Sequence, residues 1–456
     1  MKNHIVVNEW AREQWQDSEL GDERRNKRAI KLAISLLNNP NSSLPTQTEN
    51  WAALKASYRL LSRPDLSHEK LQGQHWENTM KKASKTDVVV LFVQDTSELD
   101  YSSKKKTVGL GPIGDHYGRG LKIHSCLAVE CDGYCKNILG LAHQKVWTRD
   151  NVVRKKIETR HGRLNRKNEG DLWEDCLKQI TSMASSINKQ WVSVGDRGND
   201  IFSFIKFCKE SSWHYLIRAC QNRFIICEGN DHNKKFKLMD WARKLDSQAT
   251  KTVMMSNQEE VELQVGWAKT KIRTPKNLIS QDGYKEIEVY CIRCWNLEKN
   301  LEWILLTNLA VVDASDALEK IDWYTVRWTI EEYHKCLKTG CNIEKSNLQT
   351  AHALESLLGF LGIIAAKLLD LKFKSRENPF DPAMSFIDPL LLKIISLKFK
   401  ISDEYMSLQQ FWHCVAKLGG FIGRKSDGAP GWQTLWKGWL RLLDMSSGIE
   451  LVQKCG

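Results

Sequence analysis

The chain has 456 residues, long enough for two to four domains around sizeable cores. Apolar residues at 42% and charged residues at 27% exclude a disordered or fibrous chain. Lys and Arg number 67 against 55 acids, a net charge of +12, which favours a polyanionic partner because basic side chains release counterions from phosphates; charge alone is weak evidence for nucleic acid.

The opening residues contain no apolar core of a secretory leader, and the most apolar stretch, Leu357 to Leu371, is interrupted by Lys367 and too short to span a bilayer. A cytoplasmic protein without membrane contact is expected. The 13 cysteines then read as reduced thiols. Cys291 and Cys294 form a lone CxxC in a strand-like run, and His124, Cys126, Cys131 and Cys135 match no zinc pattern, so both groups read as buried strand cysteines.

Residues 22–39 read as a helix: Asp22 can cap it, Leu32, Leu36 and Leu37 give an apolar face, and Pro40 stops it. Its first turns carry Arg24, Arg25, Lys27, Arg28 and Lys31, of which Arg24, Arg28 and Lys31 share a face. Thr48 opens a second helix ended by Pro64, and Ser67 begins a third. A small helical module over residues 1–72 with one basic face suits DNA backbone contact, and it equally suits a solvated charged face.

From Val88 the period changes. Val88 to Gln94 is a continuous apolar run, the mark of a buried central strand, and it ends at Asp95. Strand-like stretches follow at 121–129 and 137–147, then a helix at 170–188, an apolar run 191–195 ending at Asp196, a helix at 200–209 and a strand at 214–219. This order predicts an α/β fold with a ribonuclease H-like core. Residues 220–301 alternate, as at Val261, Leu263 and Val265, and predict an inserted antiparallel β subdomain. Helical pattern runs from Ala314 to about Leu371, and residues 373–456 form a helical C-terminal domain. The catalytic domain is therefore expected over 73–372, interrupted by the insertion.

Asp95 and Asp196 each end an apolar strand run, where α/β folds commonly place their sites. A strand-ending Asp can also simply cap the turn that follows. A third acid lies in a run where Tyr324, Arg327, Glu331, Lys335 and Lys338 share one helical stripe at ~100° per residue, and Glu332 falls off it. One reading is an exposed helix with cations flanking a Glu at i±4 spacing. The other is a metal-holding carboxylate beside cations that clamp the reacting phosphate. Three carboxylates can hold two Mg²⁺ ions, with Mn²⁺ able to substitute, since oxygen ligands disfavour zinc. Spacing alone does not bring the three acids together.

Tyr324, Arg327, Glu331 and Lys338 together resemble the YREK signature of the IS-four family of insertion-sequence transposases, in the context Tyr-Thr-x-Arg-Trp-x-Ile-Glu-Glu-x-His-Lys-x-x-Lys-Thr-Gly over residues 324–340. The likeness extends along most of the chain. Leu20 to Arg25, and Tyr58, Arg59 and Pro64, are similar to the family's N-terminal DNA-binding module. Asp95 with Thr96, the strand with Gly120, His124 and Ser125, and Asp196 with Arg197 and Asp200 are similar to its acid regions. Gly419 to Phe421, Arg424 to Gly431 and Leu435 to Trp439 are similar to its closing segment. Where the family's best-known member has a Trp pair just before its strand His, this chain has Leu121 and Lys122.

The resemblance implies that Asp95, Asp196 and Glu331 are the catalytic acids and metal ligands, with two Mg²⁺ per site. It implies DNA contacts for Arg24, Arg25, Arg28, Arg218, Tyr324, Arg327, Lys335 and Lys338, and a base-stacking role for Trp303. The implied activity is cut-and-paste transposition through a free 3′-OH and a hairpin, on inverted-repeat ends and target double-stranded DNA. The implied assembly is a homodimer joined through C-terminal helices, in the bacterial cytoplasm and on the nucleoid when bound. A transposase-related DNA-binding regulator and a metal-dependent nuclease without strand transfer are the competing classes.

Overall fold

The computed structural model describes residues 7–114, 117–132, 135–150, 169–184, 190–226, 236–254, 260–275, 285–376, 378–424 and 427–455. The chain opens with helices α1 (Val7–Trp15), α2 (Glu23–Asn38), α3 (Leu44–Gln47), α4 (Trp51–Leu61) and α5 (His68–Ala83). Asp22 caps α2 as expected, its carboxylate accepting from the Arg24 amide. Thr48 does not start a helix: its amide and hydroxyl both donate to Leu44 O and close α3. Asn50 caps α4 instead, accepting from the Ala53 amide, and Ser67 caps α5, accepting from the Lys70 amide. Helix α5 runs through the expected boundary at residue 72 and packs on the central sheet.

The strands are β1 (Val89–Asp100), β2 (Gly111–Ile113), β3 (Gly118–Asp132), β4 (Cys135–Trp147), β5 (Trp191–Gly195), β6 (His214–Arg218), β7 (Phe224–Ile226), β8 (Phe236–Lys237), β9 (Ala249–Met254), β10 (Glu260–Arg273), β11 (Glu286–Asn296) and β12 (Leu301–Thr307). They form one mixed sheet in the order β2-β3-β1-β5-β6-β12-β11-β10-β7-β8, with β4 on β3 and β9 on β10. At its centre β1 is antiparallel to β3 and parallel to β5, and β5 is parallel to β6, an arrangement compatible with a ribonuclease H-like core. The alternating segment does not form a separate layer. Its strands continue the same sheet, because β12 pairs antiparallel with β6 and gives that strand's free backbone groups a partner.

Alternation along β1 sorts its side chains between two cores. Leu91 and Val93 join Val192 and Val194 and face the N- and C-terminal helices. Val90 and Phe92 face the other way, against Trp173 and Phe204 of helices α6 (Asp171–Met183) and α7 (Phe202–Glu210). Helix α6 ends at Met183, and the expected tail at 185–188 lies outside the described residues, as does Lys425 of the closing segment. Cys291 and Cys294 are free, buried strand thiols.

After the short helix α8 (Leu238–Ala242) and strands β9–β12, the expected continuous helix from Ala314 is broken. Helix α9 (Ala314–Thr325) gives way to a tight turn at Val326 and Arg327, whose amides bond three residues back to Trp323 O and Tyr324 O. Helix α10 (Trp328–Lys335) then widens into a π-turn over Cys336–Gly340, closed by the Cys341 amide donating to Cys336 O, 2.9 Å. Helix α11 (Ala351–Lys374) follows, almost wholly buried, with α12 (Pro389–Phe399), α13 (Leu408–Leu418) and α14 (Trp432–Cys455). Helices α13 and α14 meet at Gly419 and Gly438, where an added Cβ would stand 1.8 Å from Thr434 O and 1.7 Å from Val415 O. Trp436 of α14 donates from Nε1 to Leu37 O of α2 (2.7 Å), tying the last helix to the first module. No described helix is long and apolar enough to cross a membrane.

Candidate catalytic site

Strand β1 does not end at Asp95. It leaves its parallel neighbour β5 after the pair Val93 and Val194, then continues to Asp100 against β3 alone. Two residues beyond that last pair stand Asp95 on β1 and Asp196 just past β5, level with each other where the sheet opens. Both carry on the alternation of Val93 and Val194, so both point toward the face covered by α9 and α10. Asp196 also caps the short turn Arg197–Asn199, accepting from the Gly198 amide at 2.8 Å, so the capping role is real.

Glu331 reaches the same place from α10. Arg327 Nη2 holds its Oε1 at 2.6 Å. Glu332 points elsewhere and pairs with Lys372 of α11 at 2.6 Å. The fields of Asp196 and Glu331 both act on Asp95, whose carboxyl is pushed up to about 7. Burial is the largest cause and the Asp196 charge the next; the Thr96 amide and Arg327 pull the other way, and Glu331 adds to the rise. Clustered carboxylates with this electrostatic strain suit a divalent cation, which would relieve it. Among the described residues, no three His, Cys, Asp or Glu side chains already form a metal cage. Glu331 is instead held by Arg327, and Asp95 Oδ1 accepts the Thr96 amide at 2.7 Å.

Asp200 has no carboxylate oxygen to spare. It is buried, paired with Arg223, and accepts the amides of Cys220 and Gln221 at 2.7 Å each.

The cations and aromatics of the site come from three elements. Arg327 is buried, with its guanidinium 5.9 Å from the Tyr324 ring and 4.9 Å from that of Trp328. Its Nε is buried and has no hydrogen-bond partner among the described residues. Tyr324 packs edge-on against Trp303 of β12, ring centroids 5.5 Å apart. Burial pushes the Tyr324 hydroxyl up, and Arg327 and Arg218 pull it down. Arg218, at the end of β6, donates to Glu302 O at 2.7 Å and lies beside Tyr324. Thus Asp95, Asp196, Arg218, Trp303, Tyr324, Arg327 and Glu331 are brought together.

The expected stripe continues to Lys335 and breaks before Lys338. Lys335 is exposed at the end of α10, and Lys338 sits on the π-turn, where its charge acts on Asp100 and His334. The wider turn shifts Lys338 off the 100° progression that a regular α-helix would give. Trp328, which the stripe leaves out, is a large exposed aromatic beside Arg327.

The three N-terminal arginines have different settings. Arg24 is exposed and forks onto the cap residue Asp22. Arg25 is held in the fold, donating from Nη1 to Leu20 O (2.8 Å) and Asp65 Oδ2 (2.7 Å). Arg28, with Lys27 and Lys31, lines an open hollow of about 1130 Å³ bounded by α1, α2, the end of α3 and α4.

The sequence pointed to Thr96 and His124 but not to the buried polar chain that joins them to Gln94 and Ser193 beneath the acids. His124 Nδ1 meets Thr96 Oγ1 at 2.8 Å, its Nε2 meets Gln94 Oε1 at 3.0 Å, and Gln94 Nε2 donates to Ser193 Oγ at 2.9 Å. The signal was the run of polar residues inside strands that otherwise read as apolar.

Two family models match the chain. Residues 7–66 match the transposase DNA-binding model, and residues 161–366 match the transposase DDE domain model. The first match spans Arg24, Arg25 and Arg28; the second spans Asp196, Arg218, Trp303 and Glu331 and begins after Asp95.

Proposed function

The chain is a DNA transposase, an enzyme that acts on DNA by metal-dependent phosphoryl transfer, and from that premise we propose that it works by cut-and-paste, as a member of the IS-four family. In this reading Asp95, Asp196 and Glu331 are the DDE acids. The observation that carries it is the level placement of Asp95 and Asp196 at the opened edge of β1 and β5, with Glu331 brought close enough for its charge to act on Asp95.

Two Mg²⁺ or Mn²⁺ ions bound by these acids would activate the attacking oxygen and stabilise the leaving oxygen. The remaining roles belong to the chain's own side chains. Arg327, with its unpartnered Nε, and Arg218 would hold the scissile phosphate, and the Tyr324 hydroxyl would add a hydrogen bond. Lys335 and Lys338 would meet phosphates further along the backbone. Trp303 would stack on an unpaired base, a contact worth about 1–3 kcal/mol. The N-terminal module, through Arg24, Arg28 and their neighbours, would hold the inverted-repeat end.

The reaction is hydrolysis of one strand at the element end, attack of the freed 3′-OH on the opposite strand to give a hairpin, hairpin opening by a second water, and joining of the 3′-OH to target DNA. Two protomers would synapse two ends, with helices of the C-terminal region as their contact. The test incubates the full chain with Mg²⁺ and duplexes bearing the inverted repeats that flank its gene. Hairpinned ends and joined products are expected. Cutting without joining identifies a nuclease, and binding without cutting a regulator; either outcome overturns the proposal.

A further inference from the structure

Gln144 of β4 is fully buried and uses its whole hydrogen-bonding capacity. Its Nε2 donates to Ser125 Oγ of β3 and to Tyr333 OH of α10, both at 2.9 Å. Its Oε1 accepts from Gln72 Nε2 at 3.1 Å and meets His68 Nε2 at 3.0 Å, both on α5. Tyr333 OH in turn donates to Gly362 O of α11 at 3.2 Å. Ser125 Oγ, having accepted from Gln144, has its hydrogen free for His334 Nε2 at 3.1 Å. Gln72, Ser125, Tyr333 and His334 are all buried. Gly362 leaves the necessary space: a Cβ there would stand 2.6 Å from Gln72 Nε2 and 2.9 Å from Gln144 Oε1.

The place of this network gives it consequence. Ser125 is the β3 residue registered opposite Asp95. His334 lies one helical turn beyond Glu331 and on nearly the same face of α10. The Ser125–His334 bond therefore pins α10 across the strand pair that carries Asp95, and the Gln144–Tyr333 bond holds its other side. Any slide or roll of α10 would leave several buried polar groups unpaired, a cost of about 1–3 kcal/mol each, so the helix has one low-energy seat.

We propose that Gln144 and Ser125 are positioning residues which, through Tyr333 and His334, fix where Glu331 stands relative to Asp95 and Asp196. The inference rests on these acids being the metal-holding site. Binding of Mn²⁺ alone to the full chain, followed by the electron paramagnetic resonance signal of the free ion, tests both. Asp95→Asn should weaken binding; if it does not, the metal-site reading and this inference fall together. Ser125→Ala and Tyr333→Phe remove single hydroxyls and keep the packing, so they are safer than Gln144→Leu. Each should raise the Mn²⁺ dissociation constant about 10-fold or more, as loss of a group that orients a ligand does. Gly438→Ala, which disturbs α13 and α14 away from the acids, should lower the melting temperature without changing that constant. If Asp95→Asn weakens binding while Ser125→Ala and Tyr333→Phe stay within about twofold of the wild type, the positioning role alone is overturned.

Discussion

Replacing Asp95 by Asn removes one negative charge from a place where three converge. The Asn carbonyl can still accept the Thr96 amide, which Asp95 Oδ1 does at 2.7 Å, so the change is mainly electrostatic. The rise of the Asp95 carboxyl from 3.8 to about 7 means that its charged form costs the metal-free fold roughly 4 kcal/mol. The cost is absent below about pH 4, where folded and unfolded chains are both protonated. It grows as the pH rises toward 7, because the unfolded chain has released its proton and the folded one has not, and it levels off above. Asp95→Asn should therefore stabilise the metal-free protein, and its advantage should grow by roughly 2 kcal/mol between about pH 5.5 and pH 8. Thermal melts of both proteins in EDTA at the two pH values measure this, and millimolar Mg²⁺ at the higher pH should close the gap. A difference that stays flat or shrinks as pH rises would refute the convergence of charges on Asp95.

Three further outcomes are expected. Arg327→Lys loses the planar fork that holds Glu331 and should lower the nicking rate on inverted-repeat DNA about 10–100-fold, measured at saturating metal. Arg28→Ala should reduce the slope of log affinity against log salt by about 1, whereas Arg25→Ala should leave that slope unchanged and lower the melting temperature, since Arg25 is committed to Leu20 O and Asp65. Gly438→Ala should cost about 1–3 kcal/mol or more in denaturant titration, because its Cβ would meet Val415 O at 1.7 Å where α13 and α14 cross.

Local rules were most reliable where local forces dominate. Asp22 caps α2 and Leu32, Leu36 and Leu37 are buried as the pattern requires. They failed where neighbouring elements compete. Thr48 was spent on closing α3, so Asn50 starts α4. The run after Ala314 has one helical period, yet its backbone tightens at Arg327 and widens at Cys336. The period registers which side chains are apolar and cannot register a change in hydrogen-bond spacing. Tyr324, Arg327 and Glu331 thus stay together, while the π-turn carries Lys338 off their stripe.

The sequence by itself determined the main succession of strands and helices, two acids that follow apolar strand runs, and the separation of Glu331 from Glu332 around the helix, because alternation and helical angle are local properties of a chain. Only the tertiary structure decided that Asp95 and Asp196 are level: that follows from the register in which β1 pairs with β5, set by packing on both faces of the sheet. It alone decided that Arg25 and Asp200 are consumed by partners 40 and 23 residues away. It alone revealed Gln144, whose four hydrogen bonds reach α5, β3 and α10, contacts between distant segments that no spacing along the chain encodes.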